Sequence, residues 1–268
     1  GYYGLKPFWH KAGGTRHGHN AAGSGQTRRN SIMSASPKAI AGMATRVVSA
    51  LGRSFPAYMC GPVGAPGIIV LQEWWGVTTQ VQLQAQRISS QGYRCLVPDL
   101  YKGKLGVDVE EASHMMGNLD FPAAVGEILA ATAVLKQEGS KKCGITGFCM
   151  GGALSLAASV KADGGELCCA APFYGIPDQR FFDCSNIKIP VQAHFGTLDS
   201  LAGFSDPAAA ENLKAILTKS NCPFEVHMYD GVAHGFAKKE AMFGAKHSAE
   251  AVDTAYSRLF AFFGKHLV

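Results

Sequence analysis

From about Phe55 to the C-terminus, short apolar runs alternate with stretches in which apolar residues recur at helical spacing. GIIVLQ (Gly67–Gln72) reads as a buried strand and TQVQLQAQRISSQG as the helix after it. YRCLVPDL is the next strand, closed by Pro98; PAAVGEILAATAVLKQEG has helical periodicity, and KKCGITGF returns to strand. A helix follows Cys149, then come the strands LCCAAPFYG and KIPVQAHFG, a helix over PAAAENLKAILTKS, the strand FEVHMYD and a C-terminal helix, SAEAVDTAYSRLFAFFGKHL. Strands that are continuously apolar and separated by helices predict an α/β fold, with a mostly parallel sheet covered by helices on both faces. In such sheets ligands bind beyond the carboxyl ends of the strands.

Composition and charge refine this picture. With 268 residues, 47% of them hydrophobic and 17% charged, the chain suits one α/β unit with a large core. No uninterrupted apolar run reaches the roughly eighteen residues of a membrane span. The net charge is +5, yet eight of the 25 Lys and Arg precede Pro66, where there is no Asp or Glu. The remainder carries 17 basic and 20 acidic residues, a net −3, so the fold itself shows no nucleic-acid footprint. Residues 1–46 form a basic, acid-free leader rich in Gly, Ser and Ala, with the composition of an organellar transit segment or of translated upstream or expression sequence. It is expected to be poorly ordered, with residues 47–268 as a single folded domain. Plastid, mitochondrion and cytosol all fit. The eight cysteines show no C-x-x-C pair and no zinc spacing, and they read as mostly buried, reduced thiols.

One cysteine stands apart. GITGFCMGGALSLAAS (Gly144–Ser159) feeds a strand into a small-residue helix around Cys149, with Gly147 two positions before it and Gly151 two after. A nucleophile on such a turn has a strained backbone, and the positions two before and two after must be small because strand and helix nearly touch there. The helix N-terminus favours a thiolate at Cys149 and points the Met150 N–H toward a developing oxyanion. The pattern is G-x-S-x-G with sulfur in place of oxygen. Partners follow in the order acid, then histidine: Asp199 just past the strand in VQAHFGTLDSL, and His234 in the loop of VHMYDGVAHGFA. Rival candidates have simpler readings. His194 and His227 lie inside strands, Asp230 before Gly231 suits a turn, and His114, His247 and His266 lie on exposed helices.

LQEWWGV, VPDLYKG, GITGFCMGGALSLA, PFYG, FGTLDSL and MYDGVAHGFA, taken together and in this order, resemble the dienelactone hydrolase (carboxymethylenebutenolidase) family, from about Phe55 to the C-terminus. The resemblance implies an α/β-hydrolase fold and a cysteine hydrolase of small esters or lactones, without metal or organic cofactor, in which Cys149 is the nucleophile, His234 the base and Asp199 its orienting acid. It implies further that Glu73, which by sequence alone reads as a strand-end or salt-bridge carboxylate, contacts the resting thiol. Trp74 would supply a second oxyanion N–H beside Met150.

The chain departs from the family where its bacterial members carry arginines that hold a substrate carboxylate. Here the stretches read DLYKGK and HGFAKK, leaving Lys102, Lys104 and Lys238 as candidates; lysine lacks the bidentate fork of arginine. Tyr101, Trp74 and Trp75 are candidates for an aromatic pocket wall. The expected partner is a small ester or lactone, with no nucleic acid or membrane, on a monomer or weak dimer. A ligand receptor and a thiol redox sensor on the same scaffold are the alternatives.

Overall fold

The computed structural model describes residues 37–50, 53–162, 165–238 and 248–268. Eight strands among these residues form one sheet: β1 (Ala44–Ala50), β2 (Arg53–Cys60), β3 (Gly67–Leu71), β4 (Arg94–Pro98), β5 (Cys143–Phe148), β6 (Cys169–Phe173), β7 (Val191–Gly196) and β8 (Phe224–Tyr229), in the spatial order β1-β2-β4-β3-β5-β6-β7-β8. From β4 to β8 every neighbouring pair is parallel, whereas β1 and β2 join antiparallel at one edge. Among the described residues there are six α-helices: α1 (Thr79–Ser89), α2 (Val109–Gly117), α3 (Phe121–Gln137), α4 (Met150–Lys161), α5 (Pro207–Ser220) and α6 (Ala249–Leu267). The mostly parallel sheet is the one expected from the alternation of strands and helices, and the architecture is the α/β-hydrolase fold that the resemblance implies.

Burial explains why the strands read as unbroken apolar runs. Strands β3 to β7 are buried at every position, because helices cover both faces, while β8 at the far edge is only partly buried. Helix α4 is buried along Met150–Ser159, so its Gly, Ala and Ser residues let it lie against the sheet on one side and α3 on the other. On the opposite face α1 and α6 are tied by Arg87, which bonds Asp253 at 2.8 Å and stacks 3.8 Å over Tyr256.

The chain runs from β3 outward to β4, then returns to place β5 on the other side of β3. The strand order therefore reverses between β3 and β5, and Glu73 and Cys149 follow the carboxyl ends of these two strands. A crevice at such a switch point is where open parallel sheets bind ligands.

Two features lie beyond the sequence expectation. The folded unit begins earlier than residue 47: β1 starts at Ala44, and Pro37–Ala41 dock on α1 and β2. Gln82 accepts from the Ile40 N–H and donates to the Lys38 carbonyl, and the Tyr58 hydroxyl donates to the Pro37 carbonyl. Residues 37–46 lack apolar periodicity; their anchorage comes from side-chain bonds to backbone, which periodicity does not register. The rest of the leader, residues 1–36, lies outside the described residues. Strand β2 was not anticipated either. It carries Pro56, which ordinarily argues against a strand, but here the proline carbonyl still accepts from the Asp99 N–H.

The tightest constraint in the fold is at the β5–α4 junction. A Cβ on Gly147 would stand 2.2 Å from the Gly151 carbonyl oxygen, and one on Gly151 would stand 2.6 Å from those of Leu71 and Gln72. Gly147→Ala is therefore expected to lower the unfolding free energy in urea by at least about 2 kcal/mol, as backbone overpacking does. Gly117→Ala, with open space around its Cβ, is expected to change it by less than about 1 kcal/mol.

Candidate active site

Close packing at the junction dictates the backbone of Cys149. Its φ is 55° and its ψ −116°, a conformation that non-glycine residues adopt at a cost of about 1–3 kcal/mol. The end of β6 clamps the turn from outside: the Cys149 N–H donates to the Phe173 carbonyl at 3.1 Å, and a Cβ on Gly175 would lie 2.0 Å from the Cys149 carbonyl. The thiol is half-buried. Helices α1, α2, α3 and α6 begin with a side chain bonded to a first-turn N–H, whereas Cys149 makes no such cap on α4. The first-turn N–H groups of α4, Met150 included, therefore keep their positive end directed at the site.

His234 and Asp199 come from the loops after β8 and β7. His234 Nδ1 lies 2.8 Å from Asp199 Oδ2, and both groups are buried. The other carboxylate oxygen of Asp199 accepts the Leu201 N–H at 3.1 Å, which fixes the acid. With Nδ1 occupied, Nε2 is the nitrogen turned to the thiol. It is sealed from solvent and interacts with Cys149, although the pair is not aligned as a hydrogen bond in this resting arrangement. Burial alone would lower the imidazole pKa; the electrostatic interaction with Cys149 and the hydrogen bond to Asp199 outweigh it and raise the value from 6.5 to about 10. A protonated imidazole is the state these contacts favour.

The other expected site residues are distributed differently. Glu73, immediately beyond β3, is buried and ion-paired to Lys238, itself buried. The pairing gives Glu73 a cationic partner, and it engages the lysine offered as a substrate anchor. Lys102 is likewise engaged: its ammonium bonds Glu127 of α3 and lies 4.3 Å over the Phe55 ring. Lys104 is exposed. Tyr101 does reach the site, where its buried hydroxyl donates to Met150 Sδ at 3.3 Å; burial, then the Cys149 charge, pushes its pKa up. Trp74 and Trp75 are half-buried and meet edge to face at 5.0 Å, just beyond the β3 terminus.

The rival residues take structural places. His194 is buried, stacked 4.3 Å from Phe173 and bonded through Nδ1 to the Tyr229 hydroxyl at 2.8 Å; burial pushes its pKa down. His227 pairs with Glu225, and Asp230 accepts from Thr197 on the surface. His114 is exposed, His266 is half-buried against Phe262, and His247 lies outside the described residues. No group of three or more His, Cys, Asp or Glu among the described residues is placed to hold a metal ion.

Two neighbours of His234 escaped the sequence reading. Ser205 is fully buried with its hydroxyl 3.1 Å from Nδ1. Tyr174, also fully buried, has a φ of 36° and sets its ring edge to face against the imidazole at 5.1 Å. A serine just before an Asp-Pro pair reads as a helix start, and PFYG as a strand end. Neither position signals contact with a histidine tens of residues away.

Known proteins resemble this chain in sequence and in fold. The chain is 28% identical over 215 residues to "Protein usf" of Aquifex pyrophilus, covering 76% of this chain and 90% of that one. It is 27% identical over 201 residues to a carboxymethylenebutenolidase of Pseudomonas putida, covering 70% and 82%. The crystal structure of a dienelactone hydrolase-like promiscuous phosphotriesterase from metagenomic libraries superposes with a TM-score of 0.72 at 18% identity, covering 85% of this chain and all of that one, and so shares the fold. Residues 55–267 match the dienelactone hydrolase family, and the chain belongs to it.

Proposed function

We propose that the protein hydrolyses small esters or lactones through Cys149, His234 and Asp199, by way of a thioester on Cys149. The observation that carries this reading is the buried His234, bound to Asp199 through Nδ1 and left with Nε2 for a thiol on a strained strand–helix turn. The name and extent of the Pseudomonas relative favour the same chemistry.

In this reading the Cys149 thiolate attacks the carbonyl carbon, and the oxygen takes the negative charge as the C–S bond forms. The N–H groups of Met150 and Trp74 receive that charge; losing one such donor typically costs about 3 kcal/mol. The C–O bond then breaks, the alkoxide or enolate takes a proton from His234, and a thioester remains. Water gives its proton to Nε2 as it attacks the thioester, and the C–S bond breaks to restore the thiolate. Asp199 stabilises the imidazolium throughout. Tyr101 and the two tryptophans would line the acyl side. With Lys102 and Lys238 engaged by carboxylates of the protein, we assign the site to uncharged substrates in preference to carboxylate-bearing ones.

A redox sensor would need a resolving thiol near Cys149. Cys143 is at the opposite end of β5, about 20 Å away at the rise of an extended strand. The geometry favours hydrolysis.

Steady-state turnover of an activated aryl ester and of a small enol-lactone is expected for the parent protein. Cys149→Ala and His234→Ala are each expected to lose at least about a hundredfold, the scale of triad members; unchanged rates in both would remove the assignment. The imidazole offers a second check. The interaction with Cys149 favours protonated His234, so in Cys149→Ala the histidine titration, followed by NMR, should shift down from about 10. An unmoved midpoint would contradict that interaction.

A further inference from the structure

Asp199 is not the sole group facing His234 Nδ1. The Ser205 hydroxyl oxygen lies 3.1 Å from this nitrogen and Asp199 Oδ2 lies 2.8 Å from it. Among the described residues, Nδ1 is the only hydrogen-bond partner of that hydroxyl, which is fully buried. A buried hydroxyl with one partner is held for that partner, because leaving it unpaired costs about 1–3 kcal/mol.

The loop that carries both groups is built as one piece. Asp199 Oδ1 accepts the Leu201 N–H, and the Leu201 carbonyl accepts from the N–H groups of Phe204, Ser205 and Asp206. The Phe204 carbonyl in turn accepts the Ile176 N–H, which ties the loop to the β6 turn that clamps Cys149. The carboxylate and the hydroxyl therefore reach Nδ1 from a single braced segment, at a spacing fixed by backbone bonds. Ser205 is not the cap of α5, since that place belongs to Asp206.

Nδ1 carries either one proton or one lone pair. With the Asp199 carboxylate facing it, a lone pair would be repelled, so the proton resides there and Ser205 also accepts it in a three-centre bond. A single acceptor leaves a ring free to swing about the N–H···O axis. A second acceptor off that axis removes the freedom, and the rings of Tyr174 at 5.1 Å and Phe204 at 6.2 Å limit what remains.

We propose that Ser205 is a positioning residue of this site: it is the second acceptor of the His234 Nδ1–H, fixing the imidazole plane so that Nε2 faces Cys149. The proposal rests on the hydrolase reading above for its effect on rate, but not for the contact itself.

The test uses full-length parent, Ser205→Ala, Ser205→Thr, Asp199→Asn and Asp199→Asn/Ser205→Ala. Ser205→Ala should retain the parent melting temperature within a few degrees, lose roughly tenfold in kcat on p-nitrophenyl acetate with KM within about twofold, and shift the downfield Nδ1–H resonance of His234 while speeding its exchange with water. Ser205→Thr, which keeps the oxygen, should bring the resonance back toward the parent position. The double variant should lose less than the product of the single losses, because both groups act on one proton. An unmoved resonance in Ser205→Ala would overturn the proposal, whether or not kcat falls, since a packing residue would leave Nδ1–H unchanged. A shifted resonance together with undiminished turnover in Cys149→Ala would sustain the Ser205 contact while refuting the cysteine mechanism.

Discussion

The close approach of three backbones at the end of β5 governs the rest of the site. Gly147, Gly151 and the Leu71–Gln72 carbonyls leave no room for side chains, and this places the residue between strand and helix at a φ of 55°. The strain there is offset by the buried strand and helix on either side, which hold the turn from both ends. The same crowding brings the end of β3 beside the start of α4. Glu73, Trp74, Cys149 and Met150 thus gather at one sheet edge although they span more than seventy residues of chain.

Around that turn, buried charges occur in compensated pairs. Asp199 faces His234 and Glu73 faces Lys238, while the buried Glu127 is met by the ammonium of the exposed Lys102. An uncompensated charge at these depths would cost several kcal/mol, so each partner is part of what allows the other to be buried. The engagement of Lys102 and Lys238 by carboxylates underlies our proposal of an uncharged substrate.

Much of this was legible in the chain because it rests on local rules. Periodicity located the strands from β3 onward and five of the helices, and the small residues flanking Cys149 announced the turn. The order of Asp199 and His234 after Cys149 matched the fold, and Asp199, not Asp230, faces the histidine. What escaped depends on contacts between distant segments. The docking of Pro37–Ala41 uses glutamine side chains of α1, and Pro56 conceals β2. Ser205 meets His234 across twenty-nine residues. The partners of Lys102 and Lys238 could not be chosen from spacing, because each finds its carboxylate on another element of the fold.

A covalent intermediate on one sulfur atom is the claim on which this account stands. Rapid quenching of the protein with p-nitrophenyl acetate in acid, followed by peptide mass spectrometry, tests it directly. The account predicts an acetyl group on the Gly144–Ser159 segment at Cys149, absent in Cys149→Ala and longer-lived in His234→Ala. Turnover of the ester with no acyl group on Cys149 at any quench time, or acylation of another residue at the rate of turnover, would contradict it.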